Sequence, residues 1–119
     1  MDLFDTTQLA LNRAIAGTAL RQTAISNNLA NADTPGYQRQ DVDFHSALKS
    51  AISSGSDAVN RVTPQIQADT TAALRYDGSN IDVDKENAAM AENGLEQEAL
   101  VSVAKARVTI LKTALGVAS

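Results

Sequence analysis

The residues able to do chemistry are few and scattered. The chain has no cysteine and a single histidine, His45, whereas a zinc site needs several His or Cys ligands. A metal site would therefore have to be built from carboxylates, and the densest group is Asp77, Asp82, Asp84 and Glu86. A calcium-binding loop requires glycine at its sixth position and glutamate at its twelfth, and no register here supplies both. Asp82 or Asp84 is better read as a helix cap, with Glu86 in the first turn beside the positive end of the helix dipole. His45 reads as a surface or rim residue. No Ser, His or carboxylate stands in a recognisable nucleophile or acid/base arrangement, so an enzyme is the weakest reading, and neither a cofactor nor a metal is expected.

The informative chemistry is that of amides. Asn27, Asn28 and Asn31 fall within five residues, although asparagine is a poor helix former. A helix that only had to stop would not need them in its last turn, so loop carbonyls or a neighbouring chain should use those amides. Asn31 is placed just past the last turn, where asparagine tolerates the left-handed conformation. Pro35 then disfavours helix at Thr34, and Pro35-Gly36 suits the two central positions of a type II turn, reversing the chain between Thr34 and Tyr37.

Two long elements must position this string. Asp5 reads as an N-cap, with Gln8 completing a capping box and Phe4 and Leu9 forming a hydrophobic staple. The helix from Thr6 to about Asn31 is roughly 39 Å long at about 1.5 Å per residue. Phe4, Leu11, Ala14, Ile15, Ile25 and Leu29 share one stripe, and Leu9, Ala16 and Leu20 fall nearly opposite. Gly17 costs about 1 kcal/mol against alanine in mid-helix, which predicts close approach of another backbone. A second helix is predicted from about Lys85 to Val117, roughly 50 Å. Its main stripe is Val83, Met90, Leu100, Val101, Ala104, Val108, Leu111 and Leu115, and a second is Leu95, Ala99, Val103, Ala106, Ile110 and Val117. Glu92 falls on that second stripe, which therefore starts late.

Between the helices, Val42, Phe44 and Leu48 are the anchors, and Ser50 to Arg75 reads as a mobile polar loop with short strand-like pieces around Val59 to Gln67 and Ala73 to Tyr76. At 119 residues the chain is at most one domain: N-terminal helix 1–31, turn and flexible middle 32–82, C-terminal helix 83–119. The expected fold is mainly α, the two helices packing as an antiparallel, coiled-coil-like pair around a polar middle with little β. Aromatics are only 3% of the chain, so burial rests on Leu, Ile, Val and Ala. A net charge of −4, with the basic residues scattered, argues against nucleic acid as a partner. There is no transmembrane run, and the start Met1-Asp2-Leu3-Phe4-Asp5 is acidic where a secretory signal is basic. The chain is expected to be cytosolic or exported by a route that cleaves nothing.

Asn28-Leu29-Ala30-Asn31 followed by Thr34-Pro35-Gly36-Tyr37, with Ala19-Leu20-Arg21-Gln22 before it, resembles the N-terminal signature of the flagellar basal-body rod and hook family. The string Ala32 to Arg39, running on to Asp43-Phe44, is most similar to the family's proximal-rod members. So are Asp77-Gly78-Ser79-Asn80-Ile81-Asp82-Val83-Asp84 and Met90-Ala91-Glu92-Asn93-Gly94-Leu95. The resemblance departs at Leu95-Glu96-Gln97-Glu98-Ala99, where such members carry a Tyr-Gln pair. It implies a subunit passed unfolded through the flagellar type III export apparatus without a cleaved signal. The subunit would then pack in the periplasmic rod of the basal body, a helical tube that carries torque to the hook. The implied partners are the ring adapter FliE, FlgC-like and distal rod proteins, and further copies. Alternatives are the sister protein FlgC itself, or a cytosolic helical adaptor or chaperone.

The residues point the same way. Ordering a residue costs about 1–2 kcal/mol and a fully buried Leu or Ile returns about 1.5–3. A lone pair of helices leaving its second stripes in water is marginal. The stripe residues Leu9, Ala16, Leu20, Leu95, Val103, Ile110 and Val117 are therefore the expected assembly interface.

Overall fold

Asp5 starts the first helix by accepting the Gln8 N–H at 2.9 Å, which satisfies one of the donors left over at a helix N-terminus. The computed structural model describes residues 5–116, so Phe4 of the expected staple and Val117 of the expected outer stripe lie outside the described residues. Helix α1 spans Thr6–Ala30, strand β1 Gln40–Asp41, helix α2 His45–Ser54, helix α3 Ser56–Arg61, strand β2 Gln67–Ala68 and helix α4 Val83–Ala114. Gln8 does not return the capping bond. Its side chain donates to Asn12 and accepts from Arg107 Nε, both at 3.2 Å. Arg107 also donates to Asp5 at 3.1 Å, which ties the end of α4 to the start of α1 and makes the pair antiparallel.

Helix α4 is capped by Asp82, whose Oδ1 accepts the N–H groups of Asp84 and Lys85 at 3.0 and 3.2 Å. The seam between α1 and α4 has an unexpected composition. The only fully buried residues of α4 are Glu86 and Asn93. Met90, Leu100, Val101, Ala104 and Leu111 are half-buried, while Val83, Val108 and Leu115, expected on the inner stripe, are exposed.

The larger difference lies in the middle. Where a mobile loop is expected after Ser50, α2 and α3 pack on α1. Val42, Phe44, Leu48, Ala51 and Val59 are buried and join Ala14 and Ala24 in one apolar cluster, with Leu9 and Leu20 packed at its edge. The second stripe of α1 is thus largely covered by the chain itself, and of its three expected assembly residues only Ala16 is exposed. Val42, Phe44 and Leu48 are the anchors their types announce, whereas the signal for the two helices is faint because Ala51 and Val59 sit among small and polar residues in helices of ten and six residues. Gly55 separates the two helices with φ of +100°, a conformation open mainly to glycine.

Gly17 does permit a close approach, but of a side chain and not of a backbone. A Cβ there would lie 2.6 Å from the Phe44 ring, so the ring is seated in the notch that the glycine leaves. Beyond α3 the chain returns as β2, antiparallel to β1 with Gln40 opposite Ala68 and Asp41 opposite Gln67. The molecule is a slab of 61 × 31 × 14 Å, elongated along its two long helices.

Candidate functional site

The asparagine string ends α1 by a different route for each amide. Asn28 is fully buried and treats β1 as a strand would: its Nδ2 donates to the Gln40 carbonyl at 2.7 Å and its Oδ1 accepts the Gln40 N–H at 2.9 Å. The same Nδ2 reaches Glu86 Oε2 of α4 at 3.2 Å. One side chain therefore joins α1, the returning strand and α4. Asn31 follows the last helical residue, yet its φ of −109° is not left-handed. It works through its side chain, donating to the Asn27 carbonyl at 2.8 Å and accepting from Thr34 Oγ1 at 3.2 Å. Asn27 is exposed, as is Ala30, while Leu29 is half-buried.

The turn forms as its residues dictate. The Tyr37 N–H donates to the Thr34 carbonyl at 3.2 Å, and Gly36 has φ of +76°, as position three of a type II turn requires. Thr34, Pro35 and Gly36 are exposed and Tyr37 is half-buried. This turn stacks on the Asp77-Gly78 turn. The Gly36 N–H donates to the Asp77 carbonyl at 3.0 Å, Gln38 Nε2 donates to the Gly78 carbonyl at 2.8 Å, and a Cβ on Gly78 would sit 3.5 Å from Gly36 Cα. Arg75 fastens the pair from below, donating to the carbonyls of Ala32 and Ile81.

At the centre is a hub the sequence reading did not assemble. Arg39 Nε donates to Glu86, and its NH1 donates to Asp69 at 2.9 Å and Asp41 at 3.4 Å. Burial alone would lower the guanidinium's pKa, but Glu86 first, then Asp41 and Asp69, overcome it and raise the net value. Asp69 accepts from the hydroxyl and N–H of Thr71 at 2.7 and 2.9 Å. Those bonds, with Arg39, hold it down at about 2 against some desolvation. Asn80 accepts the Arg39 N–H and donates to the Asp69 carbonyl. Glu86 does lie in the first turn of α4, but it points inward as a buried partner. Its neighbours in sequence offered no sign of this; the clue was its spacing from Asp82, one helical turn from the cap.

A second polar contact lies further along. Asn93, fully buried, donates to the Thr18 carbonyl at 2.9 Å and to Gln22 at 3.1 Å. His45 is exposed, stacks on Phe44 with centroids 4.2 Å apart, and meets Glu96 at 2.7 Å. A cleft of about 610 Å³ beside the hub is lined by Arg39, Arg75 and Lys85 and by Asp69, Asp82 and Glu86, so it favours neither sign of ligand charge.

Of the residues expected at an assembly interface, Leu95, Val103 and Ile110 are 68%, 50% and 66% exposed. Ala99 and Ala106 lie between them, also exposed. No described helix is long and apolar enough to cross a membrane.

A long helix closed by an asparagine-held turn, strapped onto an antiparallel partner helix, defines a structural helical subunit in which polar side chains form the joint. Residues 9–38, which contain that turn, match the family described as "Flagella basal body rod protein". The chain belongs to the flagellar basal body rod proteins and is a structural subunit of the basal-body rod. It is 35% identical to the flagellar basal body rod protein FlgB of Escherichia coli (strain K12), covering 86% of this chain and 87% of that one. With FlgB of Bacillus subtilis (strain 168) the identity is 32% over 97% of both chains. With that of Salmonella typhimurium it is 29%, covering 82% of this chain and 84% of the relative.

Proposed function

We propose that this subunit builds the proximal section of the rod, packing side by side with copies of itself and with sister subunits into a tube that carries torque from motor to hook. The observation that carries this reading is the outer face of α4, where Leu95, Val103 and Ile110 are each at least half exposed and nothing within the described chain covers them. Contiguous apolar surface of this kind marks a protein interface. An open groove of about 530 Å³ between α1 and α4, lined by Ile15, Val101, Ala104 and Val108, offers a second place for a neighbouring helix.

On this reading FliE meets the subunit on the membrane side, and FlgC-like and distal rod proteins on the other. Delivery is through the type III export apparatus, without a cleaved signal, into the periplasmic space. The hub sets the register of the two long helices, and the whole of 1–119 acts as one structural unit with no catalytic step. The family-motif residues Asn28 to Asn31 and Thr34 to Tyr37 serve this joint, and Leu95, Val103, Ile110 and Val117 serve assembly. Val103→Asp combined with Ile110→Asp tests the proposal: the variant should be secreted normally yet fail to assemble a rod, giving non-motile cells. Wild-type motility would overturn it.

A further inference from the structure

We infer that, before it joins any larger assembly, the chain forms an antiparallel homodimer through the outer face of α4. This goes beyond the rod assignment, because rod packing uses the same stripe and the dimer must open before a copy is incorporated.

Leu95, Ala99, Ser102, Val103, Ala106 and Ile110 are all exposed and fall within about 100° of arc at 3.6 residues per turn. Bulky and small residues alternate along this face in the order Leu95, Ala99, Val103, Ala106, Ile110. The order reads the same in both directions about Val103. Inverted about a point between Val101 and Ser102, this face sets Val103 of one copy beside Ala99 of the other and Leu95 in the gap between Ala106 and Ile110.

The charges centre between Val101 and Ser102, about one residue before the middle of that pattern. From Asp82 to Glu98 the chain carries six carboxylates against Lys85, and from Ala99 to Gly116 it carries Lys105, Arg107 and Lys112 and no acid. A two-fold axis crossing α4 beside Ser102 sets Glu98 opposite Lys105 of a second copy on one flank. On the other flank Glu96 and Arg107 also come opposite, but within each copy they already hold His45 and Asp5, so the charge match rests on Glu98 and Lys105. Each pairing occurs twice by symmetry, as an isologous contact demands. Among the described residues Glu98 and Lys105 take part in no ion pair, so both are available. A parallel pairing in register would instead place acid against acid and base against base.

The absence of cysteine makes the test clean. Purified full-length chain should sediment as a concentration-dependent dimer, and Ser102→Cys, at the axis, should give a disulfide-linked dimer on mild oxidation. Glu98→Lys or Lys105→Glu alone should each weaken the dimer roughly tenfold, and the two combined should restore it. Monomer mass at every concentration up to millimolar would overturn the inference. So would cross-linking of Leu95→Cys to Ala106→Cys into ladders without any Ser102→Cys dimer, which is the mark of a staggered parallel contact. None of these outcomes bears on rod assembly, which motility reads separately.

Discussion

The two ends of α4 present opposite solutions to the problem of ordering a long helix in a small chain. Around Glu86 and Asn93 the helix buries polar side chains, each held by α1 or by the strap that runs from Gly36 to Ile81. Beyond Leu95 it turns apolar side chains outward and holds α1 by half-buried contacts and one Arg107 clamp. Hydrogen bonds are directional and lose much when misaligned, whereas apolar burial is indifferent to partner. The polar end therefore specifies one intramolecular register, and the apolar end is free to meet another molecule.

That contrast breaks most sharply at Glu86. Glu86→Ala leaves Arg39 largely buried with its principal partner gone, and removing one member of a buried pair costs about 3–5 kcal/mol. Chemical denaturation of the variant should show a loss of this size. Asn28→Ala strands the Gln40 N–H and carbonyl, and an unpaired buried backbone group costs about 1–3 kcal/mol; the same titration should place it next. Gly17→Ala pushes a methyl into the Phe44 ring, an overpacking effect of about 1–3 kcal/mol, read as a lower denaturation midpoint with an unchanged slope. On the far end, Ile110→Asp alone should alter the dilute chain's stability by no more than about 0.5 kcal/mol while abolishing its self-association in sedimentation.

Acid sharpens the comparison, because the depressed carboxylates belong to the strap and the α1 cap. Asp69 sits at about 2 in the folded chain against an ordinary 3.8. Asp5 and Asp77 are also lowered, chiefly by the N–H groups of Gln8 and Ser79. Between those values the unfolded chain binds protons that the folded chain refuses. The stability these groups contribute is complete above about pH 4 and is lost as the pH falls through 3.8 toward 2. A fall in the thermal midpoint confined to that window is expected. Asp69→Asn should flatten it, whereas Glu98→Gln, on the outer face, should not.

Much of the helical frame was legible in the sequence because local signals agree there. Asp5 and Asp82 are caps of the type their positions announce, and Thr34-Pro35-Gly36-Tyr37 forms the turn its proline and glycine require. The outward alternation from Leu95 to Ile110 follows from a regular period. Less legible were the features made by residues distant in the chain. Phe44 seats itself against Gly17 across 27 positions, and α2 and α3 hide Ala51 and Val59 among small and polar residues. The hub joins residues 28, 39, 69, 80 and 86, none of which shows by type that its partner is another of the set. Asn31 was placed correctly but with the wrong backbone conformation, because its side chain does the capping that a left-handed turn would otherwise do.

The central claim is that the hub is complete within one molecule and the outer half of α4 is completed by another. Residue-resolved amide exchange on the isolated chain at two concentrations tests it most directly. The account predicts strong, concentration-independent protection for residues 24–31 and 84–93, and weak protection for 100–114 that rises as the chain is concentrated. Equal protection along all of α4 at both concentrations would contradict it.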